Sequence, residues 1–341
     1  MKAAVLKDVQ SLGLCELAIP TISEAEALIR VRYGGVCGSD MTVYRGQHPT
    51  ATLPVVPCHE ILGTIEALPN SYHGDFQVGD RVVMNPVLPC GSCPPCKAGR
   101  YNVCDNLKLL GIHVNGGFSE YTKVPISNLI PVDPKVTDEI AALGEPVAVS
   151  YHVCNRAGIQ KGDRVLVFGA GTIGLLVALM ARELGGDVVV SEINADRIHL
   201  AQQFGFLTIN PVECDLLTRC AELTQSTGFD VVCDATGSKV TALQLPDVCT
   251  AGGRILSLGL SSAKYEFILG KISFKEETII GSRLYTQEHF RNGISALKTL
   301  SKKYDLSLLI SDIMPLSEID AAYSKMLSGK NLGKILIDCR K

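Results

Sequence analysis

Four cysteines spaced C-x-x-C-x-x-C-x7-C (Cys90, Cys93, Cys96 and Cys104) stand inside the Pro- and Gly-rich run PCGSCPPCKAGRYNVC. Four thiolates on one short loop can fill every position of a tetrahedral zinc ion. A site closed in this way pins a loop and leaves no position open for a substrate, so the chemistry of the chain has to be sought elsewhere. Disulfides are the competing reading. They suit the spacing less well, because thiols this close serve one ion better than two separable bridges. Idle core cysteines are the third reading.

At 341 residues, with 46% hydrophobic content, the chain reads as about two domains with ample material for burial. A net charge of -3 and the lack of a long basic run exclude nucleic acid as a main partner, since phosphate binding needs a concentrated positive face. The start, MKAAVLKDVQ, has no apolar stretch fit for a signal peptide, and GLLVALMA is far short of a membrane span. Thirteen cysteines, an odd number with one tight cluster, suit a reducing compartment. The expectation is a soluble cytoplasmic protein without a membrane or nucleic-acid partner.

The character of the chain changes part-way. Short β-like runs such as ALIRVRY, GDRVVMN and FSEYTKV, punctuated by Gly and Pro, fill the first half. From about Gln160, β-rich runs (VVVSE, DVVCDA, GGRILSLG) alternate with helical segments, the pattern of a parallel sheet covered by helices. ISALKTLSKK and DAAYSKMLSG read as late helices, and KILIDC as a last strand. The expected division is an α/β domain over 151–285, flanked by the two pieces, 1–150 and 286–341, of a β-rich domain.

Within that α/β segment, Gly169-Ala170-Gly171-Thr172-Ile173-Gly174 follows the strand RVLVF and opens a helix. In that context the three glycines of G-x-G-x-x-G serve in turn for the tight turn, for backbone approach to a pyrophosphate, and for helix packing on strand. The helix amino terminus then faces phosphate. Glu192 ends the next strand, twenty-one residues beyond Gly171, near the distance at which a carboxylate takes the ribose hydroxyls. That favours NAD over NADP, whose extra phosphate a carboxylate repels. Arg197 could accept such a phosphate or flank the adenine, and Glu192 could be a solvated residue after its strand.

Cys37 in GGVCGSD, His59 and Glu60 in PCHE, and Glu145 in LGEP carry metal-ligand chemistry, each in a small-residue or Pro turn. One cysteine, one imidazole and one carboxylate leave zinc with an open fourth position, as Lewis-acid chemistry requires. Singly, each has a plainer reading: a buried thiol, a satisfied core histidine, a surface or capping glutamate before Pro146.

Taken in series, GGVCGSD, PCHEILGTIE, GDRV, the four-cysteine lobe, GGFSEY, EPVAVSYH, VLVFGAGTIGLL and KEETIIGS resemble the zinc-dependent medium-chain dehydrogenase/reductase family, in its sorbitol, threonine and sugar-acid branch, over essentially the whole chain. The resemblance implies a GroES-like catalytic domain joined to a Rossmann domain, with two zinc ions per chain and NAD. It implies that Cys37, His59 and Glu145 bind the catalytic zinc while Glu60 lies behind it. Asp40 would orient the histidine, and Ser39 would take the substrate proton. Many relatives carry histidine where this chain has Thr42, which cannot hold a proton at neutral pH. Release must then pass through water or a group such as His48. Cys58 stands where relatives usually have glycine.

Tyr44, Arg45 and Arg283 are candidates for the substrate, since arginine suits a carboxylate, a phosphate or many hydroxyls; a solvent-facing loop is the alternative for Arg45. Lys334 is a candidate pyrophosphate contact. The expected reaction is hydride transfer between NAD and a secondary hydroxyl of a hexonate or polyol, with zinc lowering the pKa of that hydroxyl. Threonine or simple alcohol oxidation, or a non-catalytic zinc- and nucleotide-binding regulator, are the alternatives. The family pairs nucleotide domains edge to edge, so a homodimer or homotetramer is expected, with the edge near TIIGSRLY.

Overall fold

The computed structural model describes residues 1–259, 268–329 and 331–341. The chain divides into two units, Met1–Glu145 with Thr286–Lys341, and Pro146–Tyr285.

The first unit is built on the long strand Glu26–Val36, whose alternating residues Ala27, Ile29, Val31 and Tyr33 are buried. That period of two is what a half-buried strand requires. Along one edge it pairs antiparallel with Glu60–Ala67, and along the other with Tyr121–Pro125 and then Lys334–Asp338. The sheet continues outward to Arg81–Met84 and Leu129–Pro131 on one side and to Ile310–Pro315 on the other. The register brings Gly35 opposite Glu60 and Val36 opposite Ile335. Three distant stretches of sequence therefore meet at the point where the long strand ends in Cys37. Below the sheet, Ile29, Val31, Met41, Ile61, Ile65 and Phe118 share a core with Tyr323. Arg32 and Asp338 of adjoining strands form an ion pair of 2.5 Å.

The second unit is an all-parallel sheet in the order Leu207–Ile209, Asp187–Ser191, Arg164–Phe168, Phe229–Asp234, Cys249–Ser257, Thr278–Gly281. Numbered by sequence within the unit, this is 3-2-1-4-5-6, the order of a doubly wound dinucleotide fold, whose ligands sit where the winding reverses. The runs VLVF, VVVS and DVVCD are continuously apolar because helices cover both faces. Gly174 to Ala181 of the helix Thr172–Glu183 are all buried. Among the described residues, no helix is long and apolar enough to cross a membrane.

Candidate active site

In the first unit, the donor atoms of Cys37, His59 and Glu60 all lie within 4.8 Å of one another. Cys37 caps the helix Gly38–Tyr44, and its backbone N–H donates to Asp40 Oδ2 at 2.9 Å. The other oxygen of Asp40 faces His59 Nδ1 at 3.6 Å. This leaves Nε2 on the side of Cys37, where Ser39 Oγ stands 3.2 Å from it and 3.3 Å from the Cys37 sulfur. Asp40, His59 and Glu60 are buried.

Glu60 enters this group because Gly35 leaves room for it. A Cβ on Gly35 would lie 2.1 Å from Glu60 Oε2. Its other oxygen, Oε1, accepts from Lys334 Nζ at 2.6 Å. Oε2 has no hydrogen-bond partner among the described residues. The trio of mutually close donors thus contains Glu60, expected behind the metal, rather than Glu145. Glu145 is buried at the start of the helix Gly144–Ala157 and acts electrostatically on both His59 and Lys334.

The field of the cluster is negative. Burial alone would lower the His59 pKa, yet the charges of Cys37 and Asp40, with Glu145 adding, raise it well above the ordinary imidazole value. Burial likewise pushes the Asp40 carboxyl up. A soft thiolate, an imidazole and carboxylates, with a buried carboxylate oxygen unsatisfied and a field that calls for positive charge, fit a zinc ion.

Lys334, a candidate pyrophosphate contact from the sequence, is tied to the metal-donor group in the first unit. Its ammonium is buried and donates to Glu60 Oε1 and to Val36 O at 3.1 Å. Burial would lower its pKa, but Glu60 and Cys37 outweigh that and raise it.

The substrate candidates fall in both units, Tyr44 and Arg45 in the first and Arg283 in the second. The Tyr44 hydroxyl donates to Gln10 O at 3.3 Å and its ring packs on Tyr323. Arg45 caps the same helix and is exposed, and Arg283 is exposed in the second unit after the strand Thr278–Gly281. Thr42 Oγ1 donates to Gly38 O within its helix at 3.4 Å. His48 Nδ1 accepts from Thr50 N at 3.3 Å, and Thr50 Oγ1 is 3.0 Å from His113 Nε2.

Cys58 adopts φ +88°, in the region that favours glycine. It is held there by its surroundings. Its carbonyl accepts from Gly117 N at 3.1 Å, its sulfur donates to Glu60 O at 3.3 Å, and a Cβ on Gly116 would lie 1.9 Å from its oxygen.

The second cluster is Cys90, Cys93, Cys96 and Cys104, again within 4.8 Å. Cys93 and Cys104 sulfurs are 3.7 Å apart, and Cys90 N donates to Cys104 Sγ at 3.3 Å. Backbone N–H groups of Ser92 and Cys93 bring the Cys90 pKa down to about 5, favouring the thiolate that a metal binds.

In the second unit, the three glycines of the turn differ in their surroundings. Gly169 has φ +95°; Gly171 has open space where a Cβ would be; a Cβ on Gly174 would lie 1.9 Å from Gly169 O. Thr172 and Ile173 open the helix Thr172–Glu183 just beyond. Glu192 Oε2 accepts from Ala170 N at 2.7 Å, and Oε1 accepts from Ile193 N and Asn194 N at 2.8 and 3.0 Å. Arg197 lies in the helix Ala195–Gln203, and its backbone N–H donates to the cap Asn194.

The sequence matches the Alcohol dehydrogenase GroES-like domain over residues 23–134 and the Zinc-binding dehydrogenase family over residues 172–299. It is 36% identical to L-galactonate-5-dehydrogenase of Escherichia coli K12 over 80% of each chain. The chain belongs to the zinc-dependent medium-chain dehydrogenase family. It is also 35% identical to sorbitol dehydrogenase of Halalkalibacterium halodurans over 93% of each chain. A zinc-binding dehydrogenase from Sinorhizobium meliloti, solved with NADP, superposes with a TM-score of 0.93 at 30% identity, over 99% of this chain and 98% of that one. This dehydrogenase is accordingly an oxidoreductase acting on CH–OH donors, with a GroES-like domain and a Rossmann domain.

Proposed function

We propose that the chain oxidises a secondary hydroxyl of a sugar acid or polyol with NAD, using one zinc ion on Cys37, His59 and Glu145 and a second on Cys90, Cys93, Cys96 and Cys104. The observation that carries the reading is the negative, buried donor group of Cys37, His59 and Glu60 with Glu145 beside it. Zinc bound there supplies a Lewis acid that lowers the pKa of a substrate hydroxyl.

The protein's own groups do the rest. Asp40 orients the His59 ring from behind. Ser39 Oγ, beside both Cys37 and His59, takes the substrate proton. Thr42 is turned to its own helix, so the proton leaves through water or by way of His48, which is tied to Thr50. The backbone from Gly169 to Ile173 and the following helix receive the pyrophosphate. Glu192 takes the ribose hydroxyls and, by charge, disfavours NADP, even though a related structure was solved with NADP. Arg45, Tyr44 and Arg283 remain the candidates for the hydroxylated substrate, and Arg197 flanks the adenosine end.

Thirteen cysteines, five of them assigned here to zinc, fit a reducing cytoplasm. The strand Thr278–Gly281 is the last in its sheet; Ile279 is half exposed, and Phe274 just before it is 91% exposed. An edge of this kind fits a homodimer or homotetramer paired through its sheets.

The purified enzyme, assayed by nicotinamide absorbance with NAD and NADP against aldonates, sugar alcohols and threonine, tests this. Aldonates or polyols with NAD should turn over fastest, with two zinc ions per chain. Faster turnover of threonine, or of any substrate with NADP, refutes the corresponding part.

A further inference from the structure

One buried polar group beside this centre is not used by the chemistry above. Tyr323, in the helix Ile319–Leu327, is 2% exposed, and its hydroxyl has no hydrogen-bond partner among the described residues. Its ring is fixed edge-on by Tyr44 at 5.5 Å and Phe118 at 6.3 Å. The helix that carries it packs on the helix Gly38–Tyr44, and Tyr323 shares a core with Met41 and Cys58. Besides burial, Asp40 is the group that acts most strongly on this hydroxyl, ahead of Cys58 and Cys37.

Asp40 has a matching deficit. Its Oδ2 is taken by Cys37 N, but Oδ1, buried and 3.6 Å from His59 Nδ1, makes no hydrogen bond of ordinary length. An unpaired buried hydroxyl or carboxylate oxygen carries its full desolvation penalty. Folded proteins relieve such pairs by a direct bond or by one buried water.

We propose that Tyr323 is a positioning residue of the metal centre: its hydroxyl is linked to Asp40 through one buried water, and so fixes the carboxylate that orients His59. The inference rests on the catalytic-metal reading above and adds to it a group from a remote helix. A ring that merely filled space would do as well without its oxygen.

Y323F removes that oxygen and little else. Y323F, D40N and the double variant are prepared as full-length protein, and the more loosely held metal is dialysed out. Co2+ is then titrated in and followed by its d–d bands, with a thermal melt alongside. Loss of a group supporting a metal ligand weakens metal binding by about tenfold or more. The expected result is therefore an approximately tenfold weaker Co2+ affinity and a shifted d–d band in Y323F, with no further loss when the change is made in D40N. Affinity within twofold of the parent overturns the inference, as does an equal loss in the D40N background. A lower melting temperature with unchanged affinity marks a packing role and overturns it too. A parent protein that takes up no Co2+ outside the four-cysteine cluster overturns the catalytic-metal reading itself, and the role of Tyr323 with it.

Discussion

Lys334 Nζ lies 2.6 Å from Glu60 Oε1, with both side chains almost wholly buried. The ammonium also holds Val36 O, the carbonyl just before Cys37. K334M leaves the Glu60 carboxylate buried without its cation, a change that costs about 3–5 kcal/mol. Urea denaturation should show that loss. Because Glu60 is then free to stay among the metal donors, turnover should fall about tenfold while resistance to chelators does not. A K334M enzyme as stable and active as the parent contradicts this account.

Cys58 makes a second, opposite case. Its φ of +88° strains any residue with a Cβ. C58G relieves that strain, whereas C58A keeps it and loses the sulfur contacts to Glu60 O and Gly35 O. Stability should therefore rank C58G above C58A by about 1 kcal/mol. The reverse order in paired denaturation curves would contradict backbone strain at this position.

Glu192 braces the glycine turn through Ala170 N, and the function proposed above gives it the ribose hydroxyls as well. Hydrogen bonds to a charged group contribute about 1.5–3 kcal/mol. E192A should therefore weaken NAD binding by about 10–100-fold, and NADP binding by less, measured by cofactor fluorescence titration. An unchanged ratio of the two affinities contradicts the proposed role.

The ion pair of Arg32 and Asp338 sets a pH dependence. Burial pushes the Asp338 carboxyl up, but the hydrogen bond and charge of Arg32, with Arg340 N, hold it below the ordinary aspartate value. An aspartate with a depressed folded pKa stabilises fully above its unfolded value, about 3.9, and loses that contribution as pH falls through the folded value. The contribution of this pair to the denaturation midpoint should be level from pH 7 to about 5 and fall below about pH 4. D338N should be less stable by about 3 kcal/mol at neutral pH and show a shallower acid slope. A slope equal to that of the parent refutes the assignment.

Much of this was readable from residues alone, for physical reasons. The turn at Gly169 to Gly174 and the apolar strands around it carry their roles locally, and the four-cysteine lobe is a contiguous ligand set. What failed to read through was set by tertiary contact. Nothing in KILIDC marks Lys334 as the cation of Glu60; the antiparallel pairing of its strand with Glu26–Val36 does that. The entry of Glu60 among the close donors depends on the space left by Gly35, which its own sequence neighbours do not show. Tyr323 lies in a stretch that reads only as a late helix, since the unpaired state of its hydroxyl is visible only once the ring is buried in the core. Cys58 was the partial exception: its place in a position usually filled by glycine already hinted at an unusual backbone.

In the cysteine lobe, the buried cluster found among the described residues is Cys93, Cys96 and Cys104, with Leu107 packed alongside. On the proposed reading, a segment with so little apolar interior takes its shape from its zinc ion. Chains made when zinc is scarce should then carry a slack, protease-accessible stretch between positions 90 and 104, and metal supply would set how long the polypeptide survives as well as how fast it turns over.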